Sequence, residues 1–277
     1  MKIELDSIIL HPADEKHIAV GSEAWSMYDL LAPGFREISE RRKDWIESIN
    51  KYISDRLNPT DQLLDVGAGD GIRARTIADA AGIREIVLVE PSVEMSKLAR
   101  SVPNSEIFIK SAENLSEIRD YKSFDAILCL WNVLGHIPTF ERRIIAALNM
   151  AELLNDNGVI YIDVNNRYNL KAYGSKAIEN INIDISNPDG LTGVNGDVVY
   201  EISYGNQSIP ASGHVFTLKE LELIVHAAGT QVDTVAYFDY DTGMSVNNQF
   251  EGQILMTLRK SNLSLGKDDD LATQVPT

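Results

Sequence analysis

The segment Asp65-Val66-Gly67-Ala68-Gly69-Asp70-Gly71 sets three glycines among carboxylates, with an apolar run before it and a helical pattern after it. A strand, a glycine-rich turn and a helix N-terminus together bring backbone N–H groups toward a ligand. Each glycine permits an approach or a backbone angle that a side chain forbids. The spacing sets two ligand classes aside. A dinucleotide fingerprint requires G-x-G-x-x-G, but Gly71 stands one position early and Ile72 occupies the required place. A triphosphate loop requires Gly-Lys-Ser or Gly-Lys-Thr, and this chain reads Gly71-Ile72-Arg73. The acids Asp65 and Asp70 suit a cationic ligand better than a pyrophosphate. Glu90 closes the next apolar run, about 25 residues beyond Asp65. An acid there can accept hydrogen bonds from both hydroxyls of a ribose.

These groups act together only if strands and helices deliver them to one edge. The apolar runs are Gln62 to Val66, Ile86 to Val89, Glu106 to Ile109, Phe124 to Leu130 and Val159 to Val164. Helical patterns lie between them at Ile72 to Ala81, Val93 to Ser101 and Phe140 to Leu154. Such alternation predicts a parallel sheet covered by helices on both faces. Upstream, Trp25, Tyr28, Leu31, Phe35, Ile38, Trp45, Ile49 and Ile53 recur at helical spacing, and Pro33-Gly34 divides them into two helices. Downstream, Arg167 to Gly213 is rich in Asn, Gly, Ser and Asp. It reads as a β-rich insertion with a hairpin, Asp197 to Tyr204 against Gln207 to Ile209, turning at Gly205-Asn206. Thr217 and Glu220 form a capping-box pattern that opens a helix over Phe216 to Ala228. Val232 to Phe238 and Gln253 to Leu258 complete seven core strands. Ser261 to Thr277 is polar and aperiodic, and reads as a disordered tail.

Leu63 to Gly71 resembles the first motif of the class I S-adenosylmethionine-dependent methyltransferases, and the chain is similar to the small-molecule type over roughly Tyr28 to Lys260. The resemblance implies an α/β, Rossmann-like fold: a seven-stranded, mostly parallel sheet with helices on both faces and the last strand antiparallel. It implies S-adenosylmethionine as cofactor and S-adenosylhomocysteine as product. Gly67, Ala68, Gly69 and Gly71 would then pack against the methionine part, with Asp65 helping to hold it. Glu90, beside Pro91, would take the ribose diol. Ser111 and Ala112 would meet the adenine, although Ser111 stands where the family often has an acid. Leu130 and Trp131 would run beneath the cofactor. The chain divides accordingly into an N-terminal helical cap (1–60), a core (61–166 and 214–260), an insertion (167–213) that shapes the acceptor site or an interface, and the tail (261–277).

Transfer of a methyl group from a sulfonium is an in-line displacement with a good leaving group, so positioning and charge matter most. A base is needed only for a protonated amine or an unactivated hydroxyl. His136, just past the fourth strand at the ligand-binding edge, is the candidate base; a packing histidine is the other reading. Tyr28, Asn132, Asn166, Arg167 and His214 are candidate substrate contacts, and Trp25 a cover for the cofactor. Asp239, Tyr240 and Asp241 follow the sixth strand and could also line the acceptor pocket. Leu130-Trp131-Asn132-Val133 replaces the Asp/Asn-Pro-Pro-Tyr/Phe of amino-methylating nucleic-acid enzymes, and Cys129 follows Leu128 rather than proline. No metal-binding acids are evident there. These features favour metal-free transfer to a nitrogen or oxygen of a small molecule. Methylation of a protein or other macromolecule, or a non-catalytic partner subunit that binds the cofactor, are the alternatives.

The 277 residues are 44% hydrophobic with a formal net charge of -16, which argues against nucleic acid or an anionic membrane as partner. The basic clusters, Arg36, Arg41, Arg42 and Lys43, then Arg142 and Arg143, read as solvated helix faces. Cys129 is the single cysteine and reads as a buried thiol. Met1 to Leu10 lacks a signal-peptide core, and no apolar stretch reaches the roughly 18 residues of a membrane span. The expectation is a cytoplasmic monomer or homodimer.

Overall fold

Ile86–Val89 is apolar at every position, so it must be buried on both faces, and it lies inside the central sheet. The computed structural model describes residues 11–12, 25–118, 123–186, 196–204 and 207–261. In chain order its first half runs through β1 (His11–Pro12), α1 (Ser26–Leu31), α2 (Phe35–Glu40), α3 (Lys43–Ser54), β2 (Leu63–Val66), α4 (Ile72–Ala81), β3 (Ile86–Val89), α5 (Val93–Ala99), β4 (Ser105–Phe108) and β5 (Phe124–Cys129). The second half continues through α6 (Val133–His136), α7 (Phe140–Leu153), β6 (Leu154–Val164), α8 (Leu170–Tyr173), α9 (Ser175–Ser186), β7 (Asp197–Tyr204), β8 (Gln207–His214), α10 (Leu218–Ala227), β9 (Thr230–Phe238), β10 (Ser245–Val246) and β11 (Gln253–Lys260).

The large sheet has the order β10-β9-β11-β6-β5-β2-β3-β4. Strands β2, β3, β4, β5 and β6 run parallel to one another, and β11 runs antiparallel to both β6 and β9. This is the Rossmann-like sheet expected, with the two-residue β10 added at one edge. Alternation along the strands sorts the core into two layers. Leu64, Val66, Ile127, Cys129 and Ile162 face α7 and α10, whereas Leu63, Leu88, Leu128 and Tyr161 face α3 and α4. Trp45, Ile49 and Ile53 stack at i, i+4 and i+8 on the inner face of α3. Each such side chain contributes about 1.5–3 kcal/mol by leaving water.

The insertion departs from the β-rich expectation. It opens with two helices, α8 and α9, before the hairpin, and β8 runs on to His214 rather than stopping at Ile209. The turn at Gly205-Asn206 and the tail beyond Ser261 lie outside the described residues. In the hairpin Asp197 pairs with His214 across the ladder. Ile209 and Ala211 of β8 pack on Met27 and Leu31 of α1, so insertion and helical cap share one small core. Arg143 corrects the expectation of a solvated face. It is 1% exposed, its Nε donates to the Ile137 carbonyl at 2.9 Å, and its Nη2 pairs with Asp197 at 3.2 Å.

Candidate active site

The loop after β2 folds back over β3 because the N–H groups of Gly67 and Ala68 both donate to the Val89 carbonyl, at 2.8 and 3.0 Å. Gly67 sits at φ +76°, and a Cβ there would lie 2.5 Å from a Val133 methyl. Only glycine fits both demands. The Gly69 N–H donates to Glu90 Oε2 at 2.8 Å, and the Ser92 N–H donates to Oε1 at 2.8 Å. The glycine loop and Glu90 therefore hold one another. Gly71 is the N-cap of α4, and a Cβ on it would lie 2.7 Å from a Leu88 methyl and 3.1 Å from a Val102 methyl. Asp70 caps α4 through the Ile72 N–H at 3.2 Å and pairs with Arg36 at 2.8 Å. That pair ties α2 to the loop.

The carboxyl ends of β2, β3, β4 and β5 open onto a single cavity of about 720 Å³, part of it open to solvent. This is the switch point of the sheet, between β2 and β5, where ligands bind in open α/β folds. Gly67, Gly69, Glu90 and Pro91 form one wall; Ser111, Ala112 and Leu130 form another. Trp25, Tyr28 and Phe35 cover it from the helical cap, facing Trp131, Val133 and His136. The Phe35 ring lies 5.5 Å from that of Trp131 and 6.3 Å from that of Tyr28, centroid to centroid. Asp29 clasps α1 to the start of α5, accepting from the Ser92 hydroxyl at 2.6 Å and the Glu94 N–H at 3.1 Å.

The charge at this site is negative. Among the described lining residues there are two carboxylates, Glu90 and Glu113, and no lysine or arginine. Burial pushes the Glu90 carboxyl up to about 7 against the two N–H bonds that favour its ionised form. Burial likewise raises Asp65 to about 7, and nearby Arg73 opposes the shift. A positive charge in the cavity would favour the ionised form of both. Burial lowers His136 to about 4, so the ring is neutral.

Trp131 and Asn132 both take left-handed backbone angles, φ +61° and +59°. Such angles are costly for side-chain-bearing residues and are kept only where the surroundings enforce them. Asp163 enforces them here. Its Oδ1 accepts from the Trp131 N–H at 2.5 Å and the Asn132 N–H at 3.3 Å, a concave pair of donors around a carboxylate. Its Oδ2 is paired with Arg73 at 3.2 Å, and Arg73 in turn is held by Asn50 of α3. A buried acid at the end of β6 thus aims the Trp131 ring into the cavity.

Other expected site residues lie elsewhere. Asp65, Ala68 and Gly71 sit behind the loop rather than on the cavity lining. Asn132 is a strut: its Nδ2 donates to the His214 carbonyl at 3.3 Å and its Oδ1 accepts from the Asn165 N–H at 3.0 Å. Asn166 donates to the carbonyls of Gln249 and Gly252. Arg167 is buried and doubly bonded to Asp184 of α9, at 2.9 and 3.1 Å. His214 lies between Asp197, 2.6 Å from Nδ1, and Glu220, 2.8 Å from Nε2. Of the five candidate substrate contacts, Tyr28 alone lines the cavity. Tyr240 takes a supporting place, its hydroxyl 3.4 Å from Trp131 Nε1.

A sequence model of the methyltransferase domain family matches residues 38–235, well over half of the chain. The chain belongs to the class I S-adenosylmethionine-dependent methyltransferases. Solved structures of low identity share its fold. One is the Burkholderia thailandensis 1,6-didemethyltoxoflavin-N1-methyltransferase with bound 1,6-didemethyltoxoflavin and S-adenosylhomocysteine (TM-score 0.57, 17% identity, 91% of this chain and 95% of that one). Another is an S-adenosylmethionine-bound amino pentose methyltransferase from Micromonospora echinaspora (TM-score 0.53, 17% identity, 82% and 97%). A third is a methyltransferase from Haloferax volcanii in complex with the Trm112 activator (TM-score 0.57, 16% identity, 84% and 97%). No curated protein matches the sequence. Within this methyltransferase, sequence reasoning had not singled out Phe35, Val133, Ile137 or Pro138 as cavity residues. Phe35 fell among the core positions of a helix, and only the packing of α2 against the loop shows its second face. Among the described residues no group of acids, histidines and cysteines could hold a metal ion, and no helix is long and apolar enough to cross a membrane.

Proposed function

We propose that this methyltransferase moves the methyl group of S-adenosylmethionine to a nitrogen or oxygen of a small-molecule acceptor, as a monomer or homodimer. The convergence of the glycine loop, Glu90 and an aromatic cover on one cavity carries this reading. Its lining is mostly apolar and aromatic with a few convergent polar groups, as in small-ligand pockets, and the net charge of -16 disfavours a nucleic-acid acceptor. The Burkholderia and Micromonospora structures, of proteins named for small acceptors, support it.

When bound, the cofactor supplies an electrophilic methyl group on a sulfonium. Each Glu90 oxygen accepts one backbone N–H and keeps lone pairs for a ribose hydroxyl. Gly67 and Gly69 leave bare backbone toward the methionine part. Pro91, Ser111, Ala112 and Leu130 line the adenine end. Tyr28, Phe35 and Trp131 offer aromatic faces to a cation, and Asp65, Ala68 and Gly71 brace the loop from behind. Trp25, Tyr28 and Phe35 of the cap then cover the acceptor against the core, and Ser212 of the insertion holds His136 at the cavity; the insertion (167–213) shapes the acceptor site in this way or serves an interface. Calorimetric titration with S-adenosylhomocysteine tests the assignment. Glu90→Ala should weaken binding at least about tenfold, since hydrogen bonds to a charged group contribute about 1.5–3 kcal/mol. Unchanged affinity would contradict it.

A further inference from the structure

Among the described residues His136 is the histidine on the cavity lining, and its surroundings decide which nitrogen holds the lone pair. Nδ1 lies 3.2 Å from the Ser212 carbonyl oxygen. A carbonyl only accepts, so Nδ1 carries the hydrogen of the neutral ring. Nε2 therefore has the lone pair. It lies 3.0 Å from the Tyr28 hydroxyl, which must be the donor. The two rings meet edge to face with centroids 5.5 Å apart. Both side chains line the cavity, yet the basic nitrogen of His136 is taken up by Tyr28. An acceptor in the cavity meets the lone pairs of the tyrosine oxygen instead.

We propose that Tyr28 is the catalytic contact with the acceptor, relaying its proton to His136, and that the acceptor is an uncharged planar molecule presenting a hydroxyl or a weakly basic aromatic N–H. This rests on the methyltransferase reading above and narrows its acceptor. The acceptor's lone pair forms the new bond to the methyl carbon, while the electron pair of the carbon–sulfur bond stays on sulfur as a thioether. The acceptor's proton passes to Tyr28 Oη as the tyrosine's own proton passes to His136 Nε2. The imidazolium then holds the positive charge that the sulfonium brought, with Nδ1–H still on the Ser212 carbonyl. The acceptor class follows from this balance. A methylated aliphatic amine is an ammonium that keeps its proton more tightly than an imidazole would, so a relay has nothing to collect. A hydroxyl or weakly basic aromatic nitrogen becomes strongly acidic as the new bond forms, and yields its proton even to a ring made less basic by burial. The faces of Trp25, Phe35 and Trp131 suit a planar molecule, and among the described lining residues there is no lysine or arginine for an anion.

The test supplies tritiated S-adenosylmethionine with 2-naphthol, 8-hydroxyquinoline and indazole in one arm, and benzylamine and piperidine in the other. Label should enter the first arm alone; label in the aliphatic amines overturns the acceptor class. With a labelled acceptor, Tyr28→Phe should lower kcat about a hundredfold or more, with S-adenosylhomocysteine affinity held within about twofold. His136→Asn should do the same, and the double variant should be no slower than the slower single, because one relay is broken once. Wild-type kcat in Tyr28→Phe, or losses that multiply, overturn the relay. No label in either arm refutes the small-molecule reading itself, and nitrogen-15 spectra of the imidazoles in the S-adenosylhomocysteine complex then decide the dyad. A neutral Nδ1–H ring between about pH 6 and 8, whose Nε2 signal moves in Tyr28→Phe, supports it. An Nε2–H or cationic ring overturns it.

Discussion

Replacing Gly67 by alanine sets two separable costs against each other. The backbone sits at φ +76°, and a left-handed angle costs a side-chain-bearing residue about 1–2 kcal/mol. The new Cβ would also stand 2.5 and 2.6 Å from the two γ-methyls of Val133, an overpacking that costs about 1–3 kcal/mol. Together they amount to about 2–5 kcal/mol, or a Tm lower by roughly 5–15 °C. Val133 opens α6, which carries His136, so relief by movement of α6 would disturb the cavity as well. The clash can be removed alone. In Gly67→Ala/Val133→Ala the offending methyls are gone and the remaining Cβ lies 3.1 Å away. The double variant should therefore be more stable than the sum of the singles predicts, by about 1–3 kcal/mol, leaving the backbone strain. Thermal unfolding of the four proteins in the cycle measures this, and calorimetric titration with S-adenosylhomocysteine follows the loop. A Gly67→Ala protein with wild-type Tm and affinity, or a cycle that is strictly additive, would refute the reasoning.

Two further outcomes are expected. Burial raises Glu90 to about 7, so its ionised fraction, the form that accepts both ribose hydroxyls, rises about tenfold between pH 6 and 8; S-adenosylhomocysteine affinity should climb by a similar factor, and Glu90→Gln should flatten the climb. In the free protein the sign reverses for stability: Glu90 and Asp65 bind protons in the native state that the unfolded chain releases near pH 4 to 4.5, so Tm should fall as pH rises toward about 7, and a Tm that rises there on their account contradicts the burial argument. Arg167→Ala leaves the buried Asp184 without its cation, with the Tyr168 hydroxyl still donating to it, at a cost of about 3–5 kcal/mol; scanning calorimetry should show a Tm lower by roughly 10 °C, and a loss below about 1 kcal/mol would remove the pair from the account of the insertion.

The sheet was legible because its strands are short apolar runs separated by helical patterns, with the glycine turn after β2. Ile72–Ala81 and Ile86–Val89 occupy the spans read from the sequence. The insertion was not, for a physical reason visible in α9. That helix buries Ala177, Asn180 and Asp184 and turns Ile178 and Ile185 outward. Hydrophobic periodicity reads such a helix backwards, because its inner face is polar and exists to receive Arg167. The same reason moved His214 and Asn166 from the candidate site into the framework: polar residues near a ligand-binding edge were as useful for bracing loops as for binding. The cofactor wall was easier to read, since glycine and a spaced acid have few other uses there. Asp163, which holds Trp131 in place, gave no motif at all; its role depends on two left-handed residues that no spacing announces.

Helix α1 bears Tyr28 and Asp29 side by side. The first points its hydroxyl at His136, and the second fastens the helix beside Glu90 through Ser92 and Glu94. One six-residue helix thus both covers the cavity and carries the tyrosine of the proposed relay. If α1 lifts to let spent nucleoside leave, the tyrosine leaves the histidine at the same moment. An open enzyme is an enzyme without its dyad, so a reactive sulfonium admitted beneath the lifted helix meets no assembled proton path until α1 has come down again.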